Sequence, residues 1–383
     1  MCTLAELTYW LAFLVLLHTW IGYPAFLLML SGLGRKKAEK TGEKELSCPF
    51  LTVVLTVRNE EKNIGNRLQN ILESDFPADL LEVLVASDGS SDRTEDITRS
   101  VAGLDSRVKL MALEGGGKSA AQNKAIISSK GEIIVLTDAD TVFDRNTLIN
   151  LVREFTGDDI GCVSGRLVVR SAGNSISESQ GFYWRYETLL RRLEGRLGLL
   201  HTASGPVMAF RKSLFKPFDC CYGDDCIIPL DIISQGYRVV HSDLALAYDV
   251  FPSTMADELS ARIRMTLRNF TCTLSKYNLL NPFKYPLISF SIASHKLLRW
   301  LTPYLMIVLF AANLYLFEVN IFYKISLYCQ AVFYVLGLAG FYAEKTGHRV
   351  PLASQVFSFL LANIGFFLGV LKAGMGGKIA GYR

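Results

Sequence analysis

Several short polar stretches in this chain combine residue types and spacings that could do chemistry. Thr137-Asp138-Ala139-Asp140 sets two carboxylates one residue apart. Such a pair suits a divalent cation held by few carboxylates plus substrate phosphates, the preference of Mg2+ and Mn2+. It equally suits a turn in which Asp bonds its own backbone. Asp88, in Ser87-Asp88-Gly89-Ser90-Ser91-Asp92, reads as a ligand-facing acid or as part of a turn capping the helix near Thr94. Gly115-Gly116-Gly117-Lys118 could offer backbone N–H groups and an ammonium to a phosphate. It is not a P-loop, because Leu113 stands where the motif needs its first glycine. Gly223-Asp224-Asp225-Cys226 precedes a helical stretch, Ile227 to Gln235. A carboxylate there complements the helix dipole or serves as a general base.

These residues need a scaffold, and the hydrophobic pattern supplies one. Leu51–Val57, Leu81–Ala86, Val108–Leu113 and Glu132–Leu136 are compact apolar runs. Amphipathic stretches separate them, with Ile64, Leu68, Ile71 and Leu72 on one face of the first. Alternation of this kind predicts an α/β domain with a parallel sheet covered on both faces. Such sheets take ligands at the carboxyl ends of their strands. That edge gathers Asn59, Asp88, Lys118, Asp138 and Asp140. The absence of G-x-G-x-x-G after the first strand argues against a nicotinamide enzyme.

The pieces VVLTVRNEE (53–61), SDGSSD (87–92), GGGKSAAQNKA (115–125), TDAD (137–140), SGPVMAFRK (204–212) and GDDC (223–226) occur in that order. Together they resemble the inverting, family 2 glycosyltransferases of the GT-A fold from about Pro49 to Phe270, specifically the membrane-bound branch with the hyaluronan and cellulose synthases. The resemblance implies a Rossmann-like nucleotide-sugar domain with a mixed, mainly parallel sheet. It implies that Asp88 contacts the uracil or ribose of a UDP-sugar and that Lys118 lies near its diphosphate. Asn59 and Glu60 would line the donor site, Asp138 would touch nucleotide or metal, and Asp140 would hold Mg2+ or Mn2+. Asp225 would take the proton from the acceptor hydroxyl, with Asp224 beside the acceptor. A single displacement inverts the anomeric centre.

Two departures from the family pattern matter. Thr56 replaces the usual proline of the first strand motif. Where processive synthases carry Q-x-x-R-W, this chain reads Ala261-Arg262-Ile263-Arg264-Met265. The arginines remain, so Arg262, Arg264 and Arg268 are candidates to cover the diphosphate or to bind anionic lipid. Met265 gives the acceptor a soft apolar face instead of a flat ring. Trp184, in the helical stretch Ile176–Leu197, could line an acceptor channel or pack on the sheet. Lys296-Leu297-Leu298-Arg299-Trp300 imitates the motif spacing and reads as an interfacial anchor.

Composition sets the surroundings. Of 383 residues, 50% are hydrophobic and 20% charged, against roughly 25% charged in soluble domains. Forty basic and 36 acidic side chains leave a net charge of +4, so no nucleic-acid partner is expected. Leu7 to Gly34 is free of charge, and Arg35, Lys36, Lys37 and Lys40 follow it. Residues 1–34 therefore read as an uncleaved anchor, with the 49–275 domain in the cytoplasm. Residues 276–383 hold an interfacial stretch (Pro282–His295), two spans (Trp300–Phe317 and Ile325–Ala343), and a run from Val350 to Leu371. Parity leaves the last run open between a span and an interfacial or re-entrant segment, since a crossing strands Lys372, Lys378 and Arg383 outside. Eight cysteines show no C-x-x-C pair and read as reduced thiols.

The expectation is a membrane-bound glycosyltransferase using a nucleotide sugar and a lipid-linked or polysaccharide acceptor, in contact with membrane lipid. Two alternatives stay open: a processive synthase that extrudes its polymer, and a non-catalytic membrane scaffold that binds nucleotide sugar; a homo-oligomer of the chain is a further candidate partner.

Overall fold

The computed structural model describes residues 2–33, 48–170, 175–250, 254–348 and 350–377. Arg35, Lys36, Lys37, Lys40, Lys378 and Arg383, which carry part of the orientation argument, lie outside them.

The chain opens with α1 (Cys2–Leu17), a π-helical turn (His18–Gly22) and α2 (Tyr23–Leu33). The central part runs β1 (Leu51–Val57), α3 (Ile64–Leu72), β2 (Leu81–Asp88), α4 (Thr94–Leu104), β3 (Val108–Leu113), α5 (Lys118–Ser128) and β4 (Ile133–Thr137). It continues with β5 (Val142–Phe143), α6 (Thr147–Arg153), β6 (Ile160–Arg170), α7 (Ser175–Leu197), β7 (Met208–Arg211), α8 (Asp224–Ser234), β8 (Arg238–Val250) and α9 (Met255–Ser275). Next come α10 (Pro286–Ile292), a second π-helical turn (Ala293–Leu297), α11 (Leu298–Tyr315), α12 (Ile321–Lys345) and α13 (Pro351–Gly374).

Among the described residues, eight strands form one sheet, in the order β3-β2-β1-β4-β7-β6-β8-β5. β3, β2, β1 and β4 are mutually parallel, and β7 pairs antiparallel with both its neighbours. β8 is parallel to β6, and the short β5 runs against β8. The sheet is thus mixed and mainly parallel, as expected.

Alternation along β1 explains why every one of its residues is buried. Leu51, Val53, Leu55 and Val57 face the layer of α3, α4 and α6, meeting Ile64, Leu68, Ile71 and Leu148. Val54 faces the opposite layer, with Ala121, Ala125 and Ile126 of α5 and Ile227 and Ile228 of α8. Side chains of period two on a sheet covered twice leave no wet face, so the strand reads as a continuous apolar run.

Among the described residues, four helical segments are long and apolar enough to cross a membrane: Leu4–Gly32, Pro286–Tyr315, Ile321–Lys345 and Pro351–Gly374. α1 packs on α11 around Tyr9, Ala12, Leu309 and Leu316. α13, the run with the unsettled parity, packs on α12, α11, α9 and α7, so it joins the apolar helices to the sheet domain. Thr254 starts α9 by accepting from the Asp257 N–H at 3.1 Å, an N-cap that satisfies an otherwise unpaired donor.

Candidate active site

The carboxyl ends of β1, β2 and β4 lie side by side, and the loops leaving them interlock. Asn59, just past β1, adopts a left-handed backbone with φ +57°. Its Oδ1 accepts from the Ser91 N–H at 2.8 Å, and its own N–H donates to Ser90 Oγ at 3.2 Å. The Glu60 N–H donates to Thr94 Oγ1 at 2.7 Å, and its carboxylate accepts from Asn63 at 2.8 Å. Both residues sit on the expected edge, and these bonds clamp the β1 and β2 loops together.

Asp88 ends β2 with only 1% of its surface exposed. Oδ1 accepts from the Gly117 N–H at 3.2 Å, while Oδ2 is buried without a partner. A buried unpaired carboxylate oxygen costs free energy, so the site is short of one donor. Gly115, Gly116 and Gly117 take φ of +103°, +151° and +89°, and these positive values let the loop pass close to Asp88.

Lys118 opens α5 and bonds Asp138 Oδ1 at 2.5 Å. Asp140 reaches solvent, yet the surrounding protein and then the Asp138 carboxylate raise its acid above the usual range. Arg67 of α3, which sequence reasoning passed over, is 2% exposed. It donates to the Asp138 carbonyl at 3.2 Å and to Thr137 Oγ1 at 2.6 Å, with its guanidinium 4.0 Å from the Phe143 ring centroid. Burial lowers it to about 9 against the pull of Asp138 and Asp140, so it stays charged at neutral pH. No sequence signal marks it, since arginine on an amphipathic helix normally faces water.

The wall opposite comes from α8 and α9. Asp224 Oδ2 accepts from Gln122 Nε2 at 2.7 Å, one helical turn after Lys118 on α5. Burial opposes its charge, but Lys118, the Gln122 bond and Arg268 outweigh that and lower its acid. Asp225 is the contrary case. Burial and then Asp224 raise its acid, with Arg191, Lys296 and Arg268 opposing. Asn269 donates to Asp225 Oδ2 at 3.4 Å, and the Ala203 N–H donates to the Asp225 carbonyl at 2.9 Å. Adjacent carboxylates driven in opposite directions mark acid–base sites. Arg268 donates to Ser119 Oγ at 3.2 Å and to the Tyr222 carbonyl, so it bridges α9 to the start of α5.

The remaining expected residues divide. Arg262 is buried, paired with Glu258, and lies against Gly365 of α13. The structure therefore sets it beneath the apolar helices, and Arg268 takes the place at the site edge. Arg264 and Trp184 are half-buried, and Met265 is exposed. Lys296 and Arg299, expected as an interfacial anchor, turn inward onto Glu187 of α7 at 3.4 and 2.5 Å. The seven described cysteines are all free.

Glu187 is the hub of a second buried cluster. It also meets Arg191 at 2.9 Å and His295 at 3.1 Å. Despite full burial, Lys296, His295, Arg299 and Arg191 hold its acid well below the usual range. Glu194 accepts from Tyr23 at 2.6 Å and pairs with His295 at 2.7 Å. Burial drives nearby His201 down to about 3, so its ring is neutral. Donor atoms of Glu194, His201 and His295 lie within 4.8 Å of one another. Both His295 nitrogens already face carboxylates, so the cluster works as an ion-paired core.

Residues 52–218 match the model of glycosyl transferase family 2. This segment is a family 2 glycosyltransferase domain. The chain is similar to the poly-beta-1,6-N-acetyl-D-glucosamine synthase of Staphylococcus aureus, 26% identical over 241 residues, or 58% of this chain and 57% of that protein. It is similar to an N-acetylglucosaminyltransferase of Bradyrhizobium diazoefficiens, 25% identical over 265 residues, or 63% of this chain and 53% of that protein. The chain thus spans a little over half the length of these curated relatives. Among solved structures, the mannosyltransferase PcManGT from Pyrobaculum calidifontis, in complex with GDP-Man and Mn2+, superposes with a TM-score of 0.70 at 22% identity. That match covers 96% of this chain and 99% of PcManGT, so the two share the GT-A fold.

Proposed function

We propose that the chain is a membrane-bound inverting glycosyltransferase that moves a sugar from a nucleotide-sugar donor to an acceptor hydroxyl. The observation that carries this reading is the pairing of Asp224 and Asp225, one lowered and one raised, across α5 from the Asp88, Lys118, Asp138 and Asp140 edge. Asp88, with one oxygen still unpaired, receives a donor group of the nucleoside. Lys118, Arg268 and the Gly115–Gly117 N–H groups stand where a diphosphate gathers charge.

Asp138 and Asp140 fit a divalent cation, because the Asp138 carboxylate raises the cost of ionising Asp140 and Asp140 still faces solvent. When bound, Mg2+ or Mn2+ neutralises charge on the departing diphosphate. Asp225 accepts the proton of the acceptor hydroxyl as it attacks the anomeric carbon from the far side, and Asn269 steadies one of its oxygens. Met265 and Trp184 lie on the two helices flanking this acceptor side. We place the site at a membrane, a reading the apolar helices support, with the domain on the cytoplasmic face where nucleotide sugars are made and a lipid-linked or growing glycan as acceptor.

The S. aureus relative's name favours a second reading, a processive synthase of β-linked N-acetylhexosamine. Membranes carrying the chain, incubated with radiolabelled UDP- and GDP-sugars, test both. A single label passes into a short lipid-soluble glycoside on the first reading and into a long polymer on the second. Asp225→Asn keeps nucleotide affinity and lowers transfer by about 10²-fold or more. Undiminished turnover in that variant removes the base from Asp225.

A further inference from the structure

Asp225 is faced by charged and polar groups from every element around it. Asp224 shares its helix, Arg268 and Asn269 come from α9, Arg191 from α7, and Lys296 from the π-helical turn before α11. Arg268 is committed to the Tyr222 carbonyl and Ser119. Arg191 is fixed differently. Its Nε donates to Glu187 Oε1 at 2.9 Å and its NH1 to Ser204 Oγ at 2.8 Å. Ser204 precedes Gly205, where an added Cβ would lie 3.8 Å from the Cβ of Asp225. The guanidinium is thereby held against the loop that lines the base. Lys296 reaches the same Glu187 oxygen at 3.4 Å.

Glu187 thus gathers Arg191, His295, Lys296 and Arg299 around a single acid. Glu194 takes up His295 at 2.7 Å, and the charge of Arg191 and Lys296 beyond what Glu187 neutralises acts on Asp225. The cluster is also where the membrane-length helices meet the domain. The two π-helical turns touch through His18 Nε2 and Ser294 Oγ at 2.9 Å. The Arg299 guanidinium lies 5.4 Å from the ring centroids of Trp20 and Tyr186. Such turns replace regular helix where side chains must be re-aimed.

We infer that Arg191 and Lys296, positioned on Glu187, keep the Asp225 carboxylate ionised, so that the base is competent only while the helix carrying Lys296 is docked against α7. This rests on the reading of Asp225 as the base. The two cations are positioning residues and touch no sugar. The opposing pushes on Asp225, burial and Asp224 upward against Arg191 and Lys296 downward, agree with it.

The sign follows directly. The base works when ionised, so activity is lost as pH falls through its acid midpoint, and removing a nearby cation raises that midpoint. Difference infrared spectroscopy of the full chain in nanodiscs, wild type minus Asp225→Asn, isolates the Asp225 carboxyl band during a pH titration. Arg191→Met and Lys296→Met each raise the midpoint by about one pH unit, and Arg191→Lys restores most of it. With the donor found in the sugar panel, the acidic limb of kcat/KM moves by the same amount. The rate is about tenfold lower below the limb and unchanged on the alkaline plateau. Unmoved midpoints in both methionine variants, or a loss of rate equal at every pH, overturn the inference. Should Arg191→Met fail to fold, Lys296→Met carries the test. The infrared titration needs no sugar, so its failure is separate from failure of the glycosyltransferase reading.

Discussion

At the scale of single residues, the site works by giving chemically equal groups unequal surroundings. Asp138 is paired to Lys118 at 2.5 Å and lies above buried Arg67, whereas Asp140 keeps a face to water. On the function proposed here, Asp140 is the carboxylate that would ligate the metal, and Asp138 the one that aligns lysine and backbone. Asp140→Asn removes the metal-dependent gain in nucleotide affinity, read as equal isothermal titration curves with and without Mn2+. An undiminished Mn2+ effect would take Asp140 out of the metal site. Arg67→Met has another signature. It strips a buried donor from the Asp138 carbonyl and Thr137, and lowers unfolding stability by about 2–3 kcal/mol in chemical denaturation. Nucleotide affinity falls with it, because the β4 loop loses its anchor.

At the scale of elements, α5 is the shared wall. Lys118 at its first turn reaches Asp138, Ser119 meets Arg268, and Gln122 one turn later reaches Asp224. The loop into α8 is equally constrained. Gly223 has an ordinary extended backbone, with φ −77°, so its need for glycine is steric. A Cβ there would fall 2.5 Å from Asp225 Oδ1 and collide with Asn269 too. Gly223→Ala pushes the base out of line, and transfer drops about tenfold or more while the circular dichroism spectrum and nucleotide affinity stay near wild type. Equal losses of transfer and of folded structure would show instead that the loop is needed only for stability.

At the scale of the whole molecule, α13 couples membrane-length helices to the arginine helix. Gly365 lies against Arg262 of α9, and a Cβ on Gly369 would stand 2.6 Å from Thr266 Cβ. Close approach through small residues is how helices associate in lipid, where apolar side chains gain little from contact with each other. Gly369→Leu forces α13 away from α9. The melting temperature in detergent falls by several degrees, and transfer falls further than nucleotide affinity, because Arg268 and Asn269 ride on α9 while Asp88 and Lys118 do not. A variant with normal melting and normal turnover refutes this coupling. The buried cluster around Glu187 acts at the same scale, since losing one partner of such a network costs about 3–5 kcal/mol.

Much of the domain was legible because its signals are local. Four apolar runs ended in polar loops, and β1, β2, β3 and β4 lie where that pattern put them. Strand burial on both faces writes itself as an unbroken apolar run, and parallel order forces the polar ends onto one edge. Asp88, Lys118, Asp138, Asp140 and Asp225 could therefore be named from spacing and family likeness alone. Side-chain direction across distant segments could not. Arg67, Glu187, Arg191 and His295 occupy unremarkable places on amphipathic or apolar helices, and only packing decides that they point inward. Arg262 and Arg268 are six residues apart on α9, too far round the helix to share a face, and the docking of α13 selected which of them reaches the site. Local chemistry is a property of neighbours in the chain. The charge state of a buried base depends on neighbours in space, because burial and Coulomb forces act over distances that sequence separation does not measure.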